Sequence, residues 1–129
     1  MAAIDIFNEG LLMAPVTAIP MPLARHGLKF DDISLWEIQE AFSAQVACHI
    51  GALEDKKYVQ EKAGIEHTFG NFPRDRINPN EGSVALGRAT GALILSQAVK
   101  ELVAMPSASR AMVSICADGG LGTVALLQN

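Results

Sequence analysis

The chain has 129 residues and a formal net charge of −4; 50% of its residues are hydrophobic and 19% are charged. This composition excludes an intrinsically disordered chain, and the length suits one domain, residues 1–129, with its own core. The acidic balance and the lack of a basic stripe argue against nucleic-acid binding. No apolar run approaches the roughly 20 residues that a membrane-spanning helix needs.

Two cysteines, Cys48 and Cys116, lie far apart and form no CxxC pair. They fit neither a disulfide framework nor a zinc site, and free thiols are typical of a reducing compartment. The first residues carry no basic group ahead of a long apolar run, so they do not resemble a signal peptide. We therefore expect a cytoplasmic protein.

The first predicted elements are a short strand over residues 2–7, followed by a turn, and a helix over residues 16–26. The helix has apolar residues at helical spacing, and Gly27 suits the position just after its end. Pro20 and Pro22 fall inside the segment, and proline is tolerated only in the first turn of a helix. The helix is therefore predicted either to begin near Pro20 or to be distorted there.

The middle of the chain predicts a buried strand over residues 34–38 and an amphipathic helix over residues 40–53. The apolar positions of this helix recur every three or four residues: Phe42, Val46, Ile50 and Leu53. Residues 54–80 are polar and contain several glycines and prolines. They are predicted to form a long loop rather than a core element.

The last third predicts a helix over residues 87–104, and then two strands, over 111–116 and 123–127. A glycine-rich turn over residues 118–122 joins the strands into a β-hairpin. The buried stripe of the helix is predicted to consist of Leu95, Ala98, Val99, Leu102 and Val103. The resulting order, βαβαββ, indicates an α/β domain with a mixed sheet packed with helices.

Polar or reactive residues follow two of the predicted strands. Gln39 comes directly after the first buried strand, and Cys116 ends the next one. In α/β sheets, ligands gather at the carboxyl ends of the strands, so these two side chains are expected to share one rim of the sheet.

Several motifs resemble the C-terminal half of thiolases and related 3-ketoacyl-CoA acyltransferases. Gln39–Phe42 is similar to the family's Asn-Glu-Ala-Phe or His-Glu-Ala-Phe. Gly87–Ala89 stands where Gly-His-Pro follows an Asn-x-Asn-Gly-Gly stretch, and Cys116–Gly122 is similar to Cys-x-Gly-Gly-Gly-x-Gly. Ala14–Ala18 resembles the start of a helix with the pattern Gly-Pro-x-x-Ala. The motifs occur in the family's order over residues 11–129.

The resemblance implies a fold of two similar halves, each βαβαββ, that usually works as a dimer or tetramer. It implies thiolysis or Claisen condensation of a 3-ketoacyl-CoA, with the coenzyme A thioester as substrate and no separate cofactor. The family's nucleophilic cysteine belongs to the N-terminal half, which these residues do not match. We therefore expect an N-terminal thiolase half, or self-association, to complete the fold.

The resemblance also assigns three catalytic positions. Cys116 stands where the family has the cysteine that exchanges a proton with the substrate's α-carbon; the alternative is a small buried apolar residue. Arg88 replaces the histidine that activates the nucleophile, and a permanently protonated guanidinium cannot act as a base. Gln39 stands at an oxyanion-binding position, with a capping or solvent-facing amide as the alternative.

Substrate-binding candidates are Asp118, Gly119 and Gly87. Asp118 replaces a glycine whose backbone N–H belongs to an oxyanion hole in the family, and its carboxylate is expected to raise the pKa of Cys116. Asp118 is also expected to pair with Arg88 and to fill the old pocket. A second family glycine is replaced by glutamate, at position 81. The three histidines, His26, His49 and His67, lie outside the motifs. His26 and His49 are expected to be structural or exposed.

Three functions therefore remain open. In the first, the chain is the C-terminal half of an acyltransferase and is not catalytically competent without a half that carries the nucleophile. Alternatively, it is a non-catalytic module that binds a partner or an acyl-CoA. As a third alternative, it is an α/β interaction domain that has kept only the fold.

Overall fold

The sheet is mixed and has four strands in the order β1-β4-β3-β2. The computed structural model describes residues 2–5, 10, 12–86 and 91–129, with only the backbone of 2–5, 85 and 86. Strand β2 runs parallel to β3, and β4 is antiparallel to both β3 and β1. The α/β class, the mixed sheet and the closing hairpin are thereby confirmed. The strands are β1 (Ala2–Asp5), β2 (Leu35–Ile38), β3 (Arg110–Ala117) and β4 (Leu121–Gln128).

Helices cover both faces of this sheet. Five of the helices precede the long α6, and short 3-10 turns occur at residues 30–32 and 74–76. Over the described residues the helices are α1 (Ala14–Ala18), α2 (Pro20–Arg25), α3 (Ser43–Glu54), α4 (Lys56–Ala63), α5 (Ser83–Leu86) and α6 (Gly91–Ala104).

Two hydrophobic clusters lie on opposite faces of the sheet. Helices α1 to α4 cover the first face, where Trp36 packs against Phe30 and Phe72 with ring centroids 5.8 and 4.4 Å away. The second face is covered by α6, whose Ala98 and Leu102 pack on the strands. Because side chains alternate along a strand, the residues of β2 are divided between the two clusters.

The first predicted helix is split in two at Ile19. Pro20 is the first residue of α2, where its missing N–H breaks no hydrogen bond within the helix. The helix ends as predicted, because Gly27 has φ 65° and the Leu28 N–H donates to the Leu23 carbonyl at 2.9 Å. Of the predicted first strand, β1 covers residues 2–5; residues 6 and 7 lie outside the described residues.

The prediction of a long loop over residues 54–80 is wrong. Helix α4 begins after Asp55, whose Oδ1 accepts hydrogen bonds from the Lys57 and Tyr58 amides. Val59 is the one buried residue of α4, and Phe69 and Phe72 join the core from the segment that follows. A helix with one buried residue has no apolar stripe, so its sequence pattern could not indicate it.

Helix α3 begins at Ser43, three residues later than predicted. Phe42, which was predicted to belong to the apolar side of the helix, is the residue just before it and is 63% exposed. Ile50 and Leu53 are buried as predicted. The later start follows from the site described below, where the backbone after Gln39 is held by hydrogen bonds to side chains.

The predicted buried stripe of the last helix is only partly correct. Ala98 and Leu102 are buried, but Leu95, Val99 and Val103 are exposed. The predicted start of this helix at Gly87 lies outside the described residues. The three exposed residues follow one another at intervals of four, so they form a continuous apolar face on the outside of the helix. The hydrophobic pattern therefore predicted the helix but not which of its apolar sides faces the sheet.

Candidate functional site

Gln39 and Cys116 lie together at the carboxyl ends of two parallel strands. The Gln39 amide donates to the Ser114 carbonyl at 2.8 Å, which extends the pairing of β2 with β3 by one residue. The Cys116 amide donates to the side-chain Oε1 of Gln39 at 3.1 Å. The expectation that they share one rim is thus met, whereas their catalytic roles stay predictions. Because the side-chain oxygen of Gln39 accepts from the Cys116 amide, the side-chain NH₂ group of Gln39 points away from Cys116 and can donate to another group.

The Cys116 thiol is 5% exposed, and burial raises its pKa. A buried apolar environment disfavours the thiolate because the charged sulfur loses its hydration. Cys116 is therefore a protonated thiol at neutral pH, and it can act as a proton donor before it acts as a base. The other cysteine, Cys48, is an exposed free thiol on α3.

The turn between β3 and β4 consists of Asp118, Gly119 and Gly120. Both glycines have positive φ, 80° and 78°, which favours residues without a Cβ. The Asp118 Oδ1 accepts from the Gly119 amide at 2.8 Å, and both residues are exposed. The Asp118 carboxylate thus occupies the Gly119 N–H. The raised pKa of Cys116 is caused by burial, not by Asp118 as the sequence suggested.

Glu40 joins the turn after β2 to the segment that leads into α5. Its Oε1 accepts from the Asn78 side-chain amide at 2.7 Å, and its Oε2 accepts from the Val84 backbone amide at 3.0 Å. The Glu40 backbone amide in turn donates to the Ser83 hydroxyl at 3.4 Å. One carboxylate therefore sets the distance between the Gln39 turn and the segment over residues 78–84.

The two positions before Ser83 are constrained in different ways. A Cβ on Gly82 would overlap the carboxylate of Glu40, so this position accepts no larger residue without movement. Glu81 has φ 71°, in the left-handed region that favours glycine. Space therefore constrains position 82, whereas the backbone angle constrains position 81, where this chain has glutamate.

At the edge of the sheet, Asn78 forms the hydrogen bonds with β2 that a neighbouring strand would otherwise form. Its Oδ1 accepts from the Ile38 amide at 2.8 Å, and its Nδ2 donates to the Ile38 carbonyl at 2.9 Å. Its own amide donates to the Trp36 carbonyl at 2.8 Å. Asn78 thereby satisfies the last residue of β2, which would otherwise present unpaired backbone groups. Sequence reasoning missed Asn78 and Glu40 as site residues, although both lie in the quoted motifs.

Beside Glu40 lies a cavity of about 460 Å³, lined by Glu40, Ser43, Val46, Glu81, Gly82 and Val84. Its volume is in the range of small-molecule sites. The lining residue Val84 is an exposed apolar side chain, and so is Phe42, which directly precedes the lining residue Ser43. Among the described residues, no group of three or more His, Cys, Asp or Glu side chains could hold a metal ion.

Arg88 and Gly87 lie outside the described residues, so their predicted places in the site are not tested, and neither is the expected pairing of Arg88 with Asp118. His26 is exposed and His49 is buried, as expected for residues outside the motifs, and His67 is exposed. Within the part of the chain that the structure describes, no helix is long and apolar enough to cross a bilayer.

The family follows from comparison with known proteins. The profile described as "Thiolase, C-terminal domain" matches residues 1–129. The chain belongs to the thiolase family. A 3-ketoacyl-CoA thiolase of Shewanella amazonensis is 36% identical over 130 residues, which cover 98% of this chain and 29% of that protein.

Solved thiolase structures share the fold. The peroxisomal 3-ketoacyl-CoA thiolase of Saccharomyces cerevisiae, described as five α-β-α-β-α layers built from two core domains of identical topology, matches with a TM-score of 0.68 and 29% identity. The match covers 97% of this chain and 32% of that chain. A dimeric peroxisomal thiolase of the same yeast gives 0.71 and 28% identity over 99% of this chain and 29% of that one. This thiolase domain thus spans under a third of the length of these relatives.

Proposed function

We propose that this chain is the proton-transferring C-terminal half of a 3-ketoacyl-CoA acyltransferase. The observation that carries the proposal is the Gln39–Cys116 pair, in which a thiol and an amide meet at the carboxyl ends of two parallel strands. In this role Cys116 exchanges a proton with the α-carbon of the thioester substrate, and the Gln39 NH₂ group stabilises an oxyanion. The reaction is thiolysis or Claisen condensation and needs no separate cofactor.

The exposed side of α6 supports the need for a second unit. Val99 and Val103 are 46% and 75% exposed, and Leu95 lies one turn before them on the same side. Extended apolar faces are rarely left in water. The yeast relative is built from two core domains of identical topology in five layers. We propose that a second unit of this topology, which carries the nucleophilic cysteine, packs on α6 and makes it the shared middle layer.

Arg88 and Cys116 both argue that this chain by itself does not catalyse the reaction. Arg88 cannot take a proton from a nucleophile, because its guanidinium stays charged at any working pH. The thiol of Cys116 has a raised pKa, which limits it as a base near neutral pH. Dimerisation, which the yeast relative shows, and a cytoplasmic location remain further expectations for this chain.

A second candidate is a non-catalytic module that binds a partner subunit or an acyl-CoA. It is favoured by the Asp118 carboxylate, which occupies the Gly119 N–H in the turn that forms an oxyanion hole in the family. A negative group at this turn opposes the charge that develops in acyl transfer.

The test is a chimera in which this chain replaces the C-terminal domain of the S. amazonensis 3-ketoacyl-CoA thiolase. Thiolysis of acetoacetyl-CoA is measured for this chain by itself, for the chimera and for chimeras with Arg88→His or Cys116→Ser. Acetoacetyl-CoA binding is measured by calorimetry on the same samples. We expect no turnover from the isolated chain and a gain of about 100-fold on Arg88→His in the chimera, the size of one general base.

Loss of that gain on Cys116→Ser would support the role of Cys116. Turnover by the isolated chain would contradict the proposal that it needs a second half. A chimera that binds acetoacetyl-CoA but stays inactive with Arg88→His would favour the non-catalytic module.

A further inference from the structure

His49 lies at the centre of a buried set of hydrogen bonds between α3 and the segment before α1. The side chain is 1% exposed. Its Nε2 lies 2.7 Å from the Leu12 carbonyl oxygen, and its Nδ1 lies 3.1 Å from the Nε2 of Gln45, one helical turn earlier. The Gln45 Oε1 accepts from the backbone amides of Ala41 at 3.1 Å and Phe42 at 3.4 Å.

These contacts determine which nitrogen of His49 carries the proton. A carbonyl oxygen only accepts, so the Nε2 of His49 donates to Leu12. The Gln45 oxygen already accepts two backbone N–H groups, so its NH₂ group donates to the Nδ1 of His49. The ring is therefore neutral, with its proton on Nε2. Burial lowers the pKa of His49, which keeps this form dominant at neutral pH.

One branch of this set reaches the Gln39 side of the site. Gln45 holds Ala41 and Phe42, the residues that directly follow Glu40 and precede α3. This explains why α3 begins only at Ser43, since the Gln45 side chain satisfies amides that would otherwise belong to the first turn.

The other branch reaches the Cys116 side. Leu12 has φ 71°, an unusual conformation for a residue with a Cβ, and its carbonyl is held by His49. Two residues later Ala14 starts α1 and packs directly on β4: a Cβ on Gly122 would lie 2.7 Å from the Ala14 Cβ. Gly122 is the residue of β4 that pairs with Cys116.

We propose that His49 is a positioning residue for the site, acting through Gln45 on the Gln39–Phe42 turn and through Leu12 on the Gly122–Cys116 pair. The two branches start at one imidazole and end beside the two residues that hydrogen-bond to each other across the strands. One ends at Ala41, two residues after Gln39, and the other at Gly122, which pairs with Cys116. The inference rests on the proposed function in so far as Gln39 and Cys116 form the site. Its test reads the thiol directly and needs no turnover.

The experiment measures alkylation of Cys116 by iodoacetamide from pH 6 to pH 10, in a Cys48→Ser background that removes the exposed thiol. His49→Leu keeps the bulk of the ring but leaves the Leu12 carbonyl and the Gln45 amide unpaired. We expect it to raise the alkylation rate about tenfold, which corresponds to easier local opening by about 1.4 kcal/mol. His49→Gln retains one donor and one acceptor and is expected to return the rate towards that of the parent.

Val59→Ala is the matched control, because Val59 is buried in the same core and its apolar side chain takes no part in the hydrogen bonds of either branch. An equal acceleration in this variant would show that general destabilisation, not positioning, exposes the thiol. Nitrogen NMR of the unmodified chain provides a second readout, and we expect the proton on Nε2 at pH 7. A proton on Nδ1, or an alkylation rate unchanged by His49→Leu, would overturn the proposal. An inactive chimera would overturn the proposed function and leave these two results unaffected.

Discussion

One hydrogen bond joins Gln39 and Cys116, which are 77 residues apart in the chain: the Cys116 amide donates to the Gln39 Oε1 at 3.1 Å. The bond closes the gap between β2 and β3 just beyond the last paired residues. It also orients the Gln39 side chain, because an amide with its oxygen engaged turns its NH₂ group the other way. The candidate site therefore depends on a contact that neither motif contains by itself.

The first prediction concerns this bond. Gln39→Met keeps the length of the side chain but removes the acceptor, so the Cys116 N–H loses its partner. We expect the free energy of unfolding to fall by about 1–2 kcal/mol, the usual cost of an unsatisfied partly buried donor. Urea unfolding followed by circular dichroism measures it. Gln60→Met on the exposed side of α4 is the control and should change stability by less than about 0.5 kcal/mol. Equal effects of the two variants would contradict the role of the bond.

The second prediction is that Glu40 and Gly82 are energetically coupled. Glu40→Ala removes the acceptor of the Asn78 and Val84 bonds and should cost about 1.5–3 kcal/mol. Gly82→Ala forces the Glu40 carboxylate to move and should lose the same bonds. The double variant should therefore be much more stable than the sum of the two losses implies. Strict additivity in urea unfolding would show that the predicted overlap is relieved in another way.

The third prediction is a pH dependence due to Glu37. This residue of β2 is 4% exposed, and its pKa is raised to about 7 by burial and by the neighbouring carboxylates of Glu101 and Glu40. The unfolded chain loses this proton near pH 4.5 and the folded chain near pH 7. Stability from this group is therefore greatest below pH 4.5, falls as the pH rises towards 7 and stays low above it.

Glu37→Gln removes the ionisable group without changing its shape. The difference in the free energy of unfolding between the variant and the parent should therefore be more favourable to the variant at pH 8 than at pH 5. The change in this difference is at most about 3 kcal/mol for a pKa shift of this size. Urea unfolding at the two pH values measures this change. Glu66→Gln, at an exposed position, is the matched control and should show little difference between them. If the stability difference between Glu37→Gln and the parent is the same at pH 5 and at pH 8, Glu37 is already ionised in the folded chain at pH 5.

The fourth prediction tests the outer face of α6. Val103→Glu in the isolated chain should leave the melting temperature nearly unchanged, because the side chain already faces water. In the chimera with the N-terminal part of the S. amazonensis thiolase, the same change buries a carboxylate and should lower the melting temperature clearly. Lys100→Glu, on an exposed position of the same helix, is the control. An equal effect of Val103→Glu in both proteins would argue against docking on α6.

The amino-acid sequence alone predicted the strongly periodic secondary-structure elements, the α/β class and the family. Val113 and its neighbours read as a strand, and three motifs in one order were enough to indicate a thiolase C-terminal half. It also placed Gln39 and Cys116 on one rim, because the carboxyl ends of parallel strands meet there. The local sequence pattern is sufficient for this because buried apolar residues recur at fixed intervals along strands and amphipathic helices.

Other features of the fold and of the site depend on packing between segments that are distant in the sequence. Helix α4 has one buried residue, and α6 has apolar residues on two sides, so only packing shows which side meets the sheet. The partners of Glu40 and His49 are likewise set by long-range folding: Glu40 bonds to Asn78, 38 residues away, and His49 bonds to Leu12, 37 residues away. Hydrogen bonds between distant segments leave no periodic trace in a sequence. They exist only once the sheet has brought the segments together.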